Sequence, residues 1–167
     1  PRFNGRIKFA PDYFTQLSIS ASKRFDLSLL GSTSTYVNVG TFLGNKNIDF
    51  VDREHFMGNQ TKFSSGRFTS FNIMPYYLYS SASQYAHAAV EHNFNGWIFN
   101  KLPLLRRTQL QTVVAVKALS TDNNPLYSEF SVGIGNIFKI FRLDVVSSNV
   151  DGTFSDPSLL IGISLLN

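Results

Sequence analysis

The sequence has no cysteine among its 167 residues. This excludes a disulfide-stabilised scaffold and any metal site built from thiolate ligands. Charged residues are also scarce, at 16% of the chain, whereas a typical soluble domain has about a quarter. Disordered chains are rich in charge and poor in aromatic residues. Because 14% of this chain is aromatic, we exclude a disordered protein.

No stretch approaches the run of about 20 apolar residues that a membrane-spanning helix requires. Lys and Arg exceed Asp and Glu by only 4, and they are scattered along the chain. A nucleic-acid-binding protein concentrates its basic residues in a patch or stripe, so we expect no nucleic-acid partner. The length is typical of one domain. We expect residues 1–167 to form a single structural unit.

Alternation of apolar and polar residues is the dominant pattern, and it predicts half-buried β-strands. The pattern is clear in five stretches and weaker in four, and turn residues separate them. It predicts eight or nine antiparallel strands with almost no helix. Residues 49–65 have no periodicity and predict a long loop, and residues 97–105 predict a helical turn or an interfacial connection. The clear stretches are 16–29, 108–119, 126–135, 141–145 and 159–165, and the weaker ones are 3–10, 36–43, 68–79 and 85–94.

Two all-β architectures fit this pattern. One is a soluble β-sandwich or lipocalin-like barrel, which turns its apolar face inward. The other is an antiparallel up-and-down transmembrane β-barrel, which turns its apolar face toward lipid. Long strands, polar faces rich in Ser, Gly, Gln and Asn, and aromatic residues near the strand ends favour the transmembrane barrel. We therefore predict the transmembrane barrel, and the soluble sandwich is the alternative.

Four sequence strings resemble an uncharacterised outer-membrane family of Gram-negative bacteria. They are DREHFMGNQT at 52–61, EHNFNGWIFNKLPLL at 91–105, VGIGNIFK at 132–139 and FRLD at 141–144. In that family, a domain of unknown function follows an N-terminal carboxypeptidase-regulatory-like domain. The glycine-rich strand followed by FRLD is also loosely similar to the bacterial surface-antigen and barrel-assembly superfamily.

The resemblance implies that this chain is the C-terminal part of a larger barrel in the outer membrane. Its expected partners are the lipid bilayer and the remainder of the parent barrel. The family name implies no peptidase activity, because the carboxypeptidase-regulatory-like module is an accessory sandwich.

The charged residues of the predicted strands suggest a polar network in the lumen. Arg142 and Asp144 share the face opposite the apolar residues of their strand, and His87 shares a face with Glu91. Such a network could set strand register, gate a pore, or be a structural ion pair, and the sequence leaves these alternatives open. His92 points to the other face of its strand, so these residues do not converge as metal ligands, and we predict no metal.

Two further groups are candidates for function. The long loop contains His55, Phe56, Asn59 and Gln60, and it either folds into the barrel or contacts a ligand. The second group mixes apolar and basic residues at a strand end, which suits contact with lipid headgroups or an ordinary basic turn. Its members are Trp97, Phe99, Lys101, Arg106 and Arg107.

We expect no enzyme and no cofactor, because the sequence has neither a Gly-x-Ser-x-Gly motif nor an ordered Ser/His/Asp set. Two functional hypotheses remain for the barrel, and a soluble β-sandwich binding module is the alternative if the other fold is present. The first is transport or outer-membrane assembly through an open or gated lumen, with an unknown substrate. The second is a filled structural or binding barrel that presents the 51–62 loop to a surface partner.

Overall fold

The computed structural model describes residues 1–10, 14–44, 48–64, 66–101, 106–122 and 124–163. Within these ranges the regular structure consists of β-strands and single-turn 3-10 helices. None of the described helices is long and apolar enough to cross a membrane. The 3-10 turns are Ser28–Leu30, Phe50–Asp52, Phe99–Lys101 and Arg106–Thr108. The strands are β1 Arg2–Ala10, β2 Phe14–Asp26, β3 Ser32–Leu43, β4 Phe63–Ser64, β5 Tyr85–Asn93, β6 Gln111–Thr121, β7 Asn124–Ile137, β8 Phe141–Val150, β9 Thr153–Phe154 and β10 Ser158–Ile163.

All ten strands belong to one sheet, in the order β1-β2-β3-β5-β6-β7-β8-β10-β4, and β9 pairs with β8. Every pairing is antiparallel except the short parallel contact between β10 and β4. The predicted all-β, antiparallel, up-and-down arrangement is therefore confirmed. In the described part of the chain, β1 pairs only with β2, so the sheet is open and does not close into a barrel.

The predicted strands agree with the structure except in one stretch. The five clear stretches correspond to β2, β6, β7, β8 and β10, and three of the weaker ones correspond to β1, β3 and β5. The strand predicted at 68–79 is wrong, because these residues form turns and bends. Phe71, Met74 and Tyr79 are buried there in one hydrophobic cluster, so their apolar character reflects loop packing and not a sheet face.

Burial in the sheet is inverted relative to a soluble protein, because the polar face is covered and the apolar face is exposed. On β7, Glu129 and Ser131 are buried. Phe130 and Val132, which alternate with them along the strand, are 43% and 56% exposed. The same alternation recurs on β5, β6, β8 and the first half of β2, whereas almost all of β1 is exposed. Exposed apolar residues on this outer face are Phe3, Ile7, Phe9, Leu17, Ile19, Val37, Val39, Val90, Val116, Ile134, Phe141, Leu143, Val145, Leu159, Ile161 and Ile163.

The polar face is covered by the connection between β3 and β5. We call residues 48–84, apart from Ser65, the inner segment. One cluster packs Phe71, Met74 and Tyr79 of this segment against Leu119 and Tyr127 of the sheet. A second cluster packs Ile48 against aromatic residues of the sheet, which are Phe14, Phe42 and Tyr85. The hydrophobic core therefore lies between the inner segment and the sheet.

Antiparallel strand directions define two ends of the sheet. We call the end that carries the inner segment, the β6–β7 turn and connection 151–157 the loop end. The connections at the far end are 27–31, 94–110 and 138–140.

Candidate functional site

Glu129 is the principal contact between the sheet and the inner segment. Its Oε2 accepts the backbone N–H of Asn72 at 2.7 Å, and its Oε1 accepts the backbone N–H of Ile73 at 2.9 Å. The hydroxyl of Tyr127 also donates to Oε1, at 2.8 Å. Glu129 is only 1% exposed. A carboxylate removed from water in this way is stabilised by three donors, two of which belong to the inner segment.

Lys117 lies directly opposite Glu129 in the pairing of β6 with β7. It is 4% exposed, and its Nζ donates to the backbone carbonyl of Ser70. A buried charge is costly unless it is paired and hydrogen-bonded. Each of the two charges is hydrogen-bonded to the backbone of the inner segment, and their opposite signs attract across the strand pairing, which fixes residues 70–73 over the polar face.

A second group of contacts holds the start of the inner segment to β1 and β2. The carboxylate of Glu54 accepts hydrogen bonds from Arg6 and, at 2.7 Å, from Gln16. The carboxylate of Asp52 accepts a 2.7 Å hydrogen bond from Lys8. Lys8 and Asp52 are partly exposed, so this pair contributes little to stability. These contacts instead fix the position of the inner segment on the sheet, because the anions Asp52 and Glu54 lie on the segment and the cations Arg6 and Lys8 lie on β1.

Arg142, Asp144 and Glu91 come together on the polar face. The Nε of Arg142 donates to both carboxylate oxygens of Asp144 at 2.8 Å, and a second guanidinium nitrogen reaches Glu91 at 3.3 Å. Arg142 lies on β8 and Glu91 on β5, with β6 and β7 between them. Three strand spacings amount to roughly 14 Å, so this contact indicates that the sheet curves toward its polar face.

Gly133 provides the space for this ion pair. It lies opposite Asp144 in the pairing of β7 with β8, and a Cβ atom on Gly133 would overlap the Asp144 carboxylate. Gly135, on the same face, is open, because the nearest atom to its Cβ position is 4.0 Å away. The glycine at 133 is therefore required by packing.

His87 shares the polar face but lies outside this ionic network. Its ring packs 4.9 Å from the ring of Phe71 and 5.3 Å from that of Tyr36, and it is 6% exposed. His92 lies on the opposite face, where Nδ1 is 2.8 Å from the Thr33 hydroxyl. The described residues contain no group of three His, Cys, Asp or Glu side chains that could hold a metal ion.

The four candidate residues of the loop occupy different environments in the inner segment. His55 Nδ1 is 2.8 Å from the Ser80 hydroxyl, and the Phe56 ring packs 5.2 Å from that of Tyr85. Asn59 is buried and donates to the carbonyl of Phe63, whereas Gln60 is exposed. An open cavity of about 540 Å³ lies on the segment, lined by His55, Phe56, Met57, Gly58, Arg67, Ser70, Tyr76 and Tyr77.

The interfacial candidates lie at the far end. The Nζ of Lys101 is 3.8 Å from the ring centroid of Trp97, which is a cation–π contact, and Trp97 is 40% exposed. Lys101 and Arg107 are exposed, and Phe99 is half-buried. The side chain of Arg106 and residues 102–105 lie outside the described residues.

These features define a class: an all-β chain with one large curved sheet whose polar face is covered by its own loop. The sequence profile of the DUF5686 C-terminal domain, a family of unknown function, matches residues 9–134. The chain belongs to this family. No curated protein and no solved structure matches the chain. The motif resemblance is thus confirmed as membership of an uncharacterised family, whereas the Gram-negative outer membrane and the N-terminal domain stay predictions.

Sequence reasoning did not select Lys117 and Glu129 as site residues, although one feature of the sequence could have found them. The turn residues at 122–125 predict a hairpin between the strands on either side. A two-residue turn that pairs Thr121 with Asn124 would align Lys117 with Ser128, and a register shift between Leu119 and Thr121 places Glu129 opposite Lys117 instead. The hairpin therefore limits the partner of Lys117 to Ser128 or Glu129, of which only Glu129 is charged. Opposite charges at paired inward positions are the expected mark of a buried ion pair.

We expect the Glu129→Ala variant to release the inner segment. The substitution leaves the backbone N–H groups of Asn72 and Ile73 without their acceptor, and each buried donor left unsatisfied costs about 1–3 kcal/mol. It also removes the opposite charge that faces Lys117 in the strand pairing. Limited trypsin digestion of the folded full-length protein should then cleave faster at Arg53, Lys62 and Arg67. Ser131→Ala, at the next inward position of β7, is the matched control and should keep the wild-type rate. Equal cleavage rates in the two variants would show that Glu129 does not anchor the segment.

We expect the Gly133→Ala variant to be less stable than Gly135→Ala. The methyl group at 133 displaces the Asp144 carboxylate and its bond to Arg142, and overpacking of this kind costs about 1–3 kcal/mol. The methyl group at 135 meets open space. Urea unfolding of the full-length protein, in the same detergent for each variant, would measure the two stabilities. Similar unfolding midpoints for the two variants would refute a packing role for Gly133.

Proposed function

We propose that this chain is a transmembrane segment of an outer-membrane β-barrel whose lumen is filled by the inner segment. The outer, apolar face of the strands contacts lipid, and the polar face lines the lumen. The barrel takes part in transport across the outer membrane or in its assembly, with a substrate that the sequence does not identify. It performs no catalysis, and it binds the bilayer and the remainder of the parent barrel.

The single observation that carries this proposal is the inverted burial of the sheet. Water-soluble proteins rarely expose a contiguous apolar patch larger than a few hundred Å². Here apolar side chains are exposed along β1, β2, β3, β5, β6, β7, β8 and β10. In a soluble β-sandwich these residues would face a second sheet, but the described residues form a single sheet. A lipid bilayer is the environment that covers such a face on every strand at once.

Strand length supports the same proposal. The six strands β1, β2, β3, β5, β6 and β7 contain between 9 and 14 residues each. A strand tilted across a bilayer needs about 9–11 residues, whereas the common length in soluble proteins is about 5–6. The strands are therefore long enough to cross the apolar core of a membrane.

The inner segment is relevant to both functional hypotheses. It contacts the polar face through charged groups at Glu54, Lys117 and Glu129. Transport through this lumen therefore requires the segment to move, which makes it a gate. The alternative is a permanently filled barrel that presents residues 51–62 to a surface partner. The cavity beside Met57 and Tyr77 favours that alternative, because it opens on the same stretch.

We expect an arginine at position 132 to reduce recovery of the full-length protein in the outer-membrane fraction. Val132 lies near the middle of β7 on the outer face, where the proposal places it in the bilayer core. Arginine at the midplane costs about 2–4 kcal/mol, and near the interface about 0–1 kcal/mol. Leu126→Arg is the matched control, since Leu126 is equally exposed, at 57%, but lies near the end of the same strand.

Two results of this fractionation would contradict the proposal. Equal recovery of the Val132→Arg and Leu126→Arg variants would show that depth along the strand has no effect, which a bilayer does not permit. Recovery of the wild-type protein in the soluble fraction would remove the membrane altogether. The soluble β-sandwich would then be the better hypothesis.

We expect removal of residues 55–80 to open the lumen. Glu54 and Ser81 already exchange two backbone hydrogen bonds, of 2.9 and 3.0 Å. An Asn-Gly turn can therefore join them as a two-residue hairpin without displacing the ends. Conductance of the full-length protein in planar bilayers should be low for the wild type and higher for this deletion. Gln60→Ala, at an exposed position of the same segment, should conduct like the wild type.

If the deletion conducts no more than the wild type, the inner segment does not fill a lumen. If the wild type already conducts as an open channel, the segment does not act as a gate. The transport hypothesis would then not depend on its movement.

A further inference from the structure

We propose that the far end of the sheet binds the headgroup of an anionic glycerophospholipid of the phosphatidylglycerol type. The site is a cavity of about 360 Å³ between connection 94–110 and the β7–β8 turn, lined by Gly96, Asn100, Gln109, Gln111, Asn136 and Lys139. This inference rests on the proposed membrane location and identifies the lipid that one end of the barrel selects.

The buried side-chain amide of Asn136 indicates that the cavity binds a polar ligand. Asn136 is 6% exposed, and its Nδ2 donates to the backbone carbonyl of Gln109 at 2.7 Å, which fixes the orientation of the amide. Its Oδ1 is buried and has no hydrogen-bond partner among the described residues. Buried acceptors in folded proteins are nearly always satisfied. Asn136 lines the cavity, and a small displacement of its side chain would let a glycerol hydroxyl provide the missing donor. The side-chain amides of Asn100, Gln109 and Gln111 offer further donors and acceptors.

Lys139 supplies the charge. It lines the cavity and is exposed at its mouth, where an ammonium group can contact a phosphate while its stem lies along apolar surface. Three residues of the cavity wall have an unfavourable left-handed backbone conformation. The φ angles of Gln109, Asn136 and Lys139 are 54°, 61° and 68°. Such conformations persist where surrounding structure enforces them, and they cluster at binding sites.

The charge distribution between the two ends supports an anionic ligand. The three far-end connections, 27–31, 94–110 and 138–140, contain four Lys or Arg residues and no Asp or Glu. At the loop end, residues 122–123 and 151–157 contain three Asp residues and no Lys or Arg, and the inner segment contains three acidic and three basic residues. Juxtaposed basic groups attract acidic lipids. The far end is therefore complementary to an anionic headgroup layer, and the loop end is not.

The apolar residues around the cavity suit the region just below the headgroups. Phe138 is 85% exposed, Ile140 is 49% exposed, and Trp97 is 40% exposed with Lys101 against its ring. Tryptophan is enriched where a membrane protein meets the headgroup region. Trp97 follows Gly96 of the cavity wall, and it is the only tryptophan in the sequence. It is therefore a native optical probe of whatever lipid occupies the site.

The test uses the full-length protein, with Trp97 kept as its sole tryptophan, in phosphatidylcholine vesicles that contain some phosphatidylglycerol. The bromine label that quenches tryptophan is carried either by phosphatidylglycerol or by phosphatidylcholine, at the same mole fraction. We expect brominated phosphatidylglycerol to quench Trp97 more strongly, because one well-placed cation enriches an anionic lipid about fivefold near the surface. The preference should weaken in high salt, which screens charge.

The variant Asn136→Gly, Lys139→Gln should lose this preference and be quenched equally by the two lipids. Glycine keeps the positive φ at position 136, so the turn itself is preserved. Lys62→Gln, which removes one lysine from the inner segment, is the matched control and should keep the wild-type preference. Equal quenching in the wild type would overturn the headgroup site and leave the membrane location standing. No quenching by either lipid would overturn the membrane location as well.

Discussion

The carboxylate of Glu129 is the contact on which the arrangement of the molecule depends. It is almost completely buried, it opposes Lys117 in the neighbouring strand, and it accepts the backbone N–H groups of Asn72 and Ile73. Without the inner segment, this pair of charges would face an unfilled concave surface. Without the pair, residues 70–73 would have no polar partners there, and the apolar cluster around Phe71 would lose its support. Electrostatic anchoring and hydrophobic packing therefore stabilise the same contact from two sides.

The second constraint is the inversion of the sheet, and it follows from the first. A sheet with a charged inner face cannot use that face as an ordinary apolar core. The inner segment covers this face with two kinds of group. Its backbone groups and carboxylates hydrogen-bond to the charged residues of the sheet, and Phe71, Met74 and Tyr79 pack against the few apolar ones. The outer face then has no partner within the described residues, although it carries most of the aliphatic side chains. The folded loop covers the polar face, and the bilayer of the proposed function would cover the apolar face.

Much of the fold could be predicted from the sequence because alternation is a local property. Eight of the nine predicted strands are present, since each needs only its own residues to indicate a two-residue period. The strand predicted at 68–79 failed for the same reason, because Phe71 and Tyr79 owe their burial to Tyr127, which is distant in sequence. The candidate site was predictable in part. Arg142 and Asp144 share a strand, but the contact with Glu91 depends on sheet curvature, which no local pattern encodes. The anchors at Asn72 and Ile73 are backbone groups, so no residue type could reveal them.

The two ends of the sheet differ in chemistry, and in the proposed barrel this difference would define a direction across the membrane. The loop end carries acidic turns and the inner segment, whereas the far end carries basic connections, exposed aromatic residues and the polar cavity beside Asn136. Basic groups at one end orient a barrel in a membrane whose two leaflets differ in anionic lipid content. Only one direction of insertion places those groups in the anionic leaflet. The inner segment would then enter the lumen from the opposite leaflet, where a partner or substrate approaching its cavity meets no competing lipid site. The two proposed roles, lipid binding at the far end and gating at the loop end, therefore depend on different connections that have no residue in common.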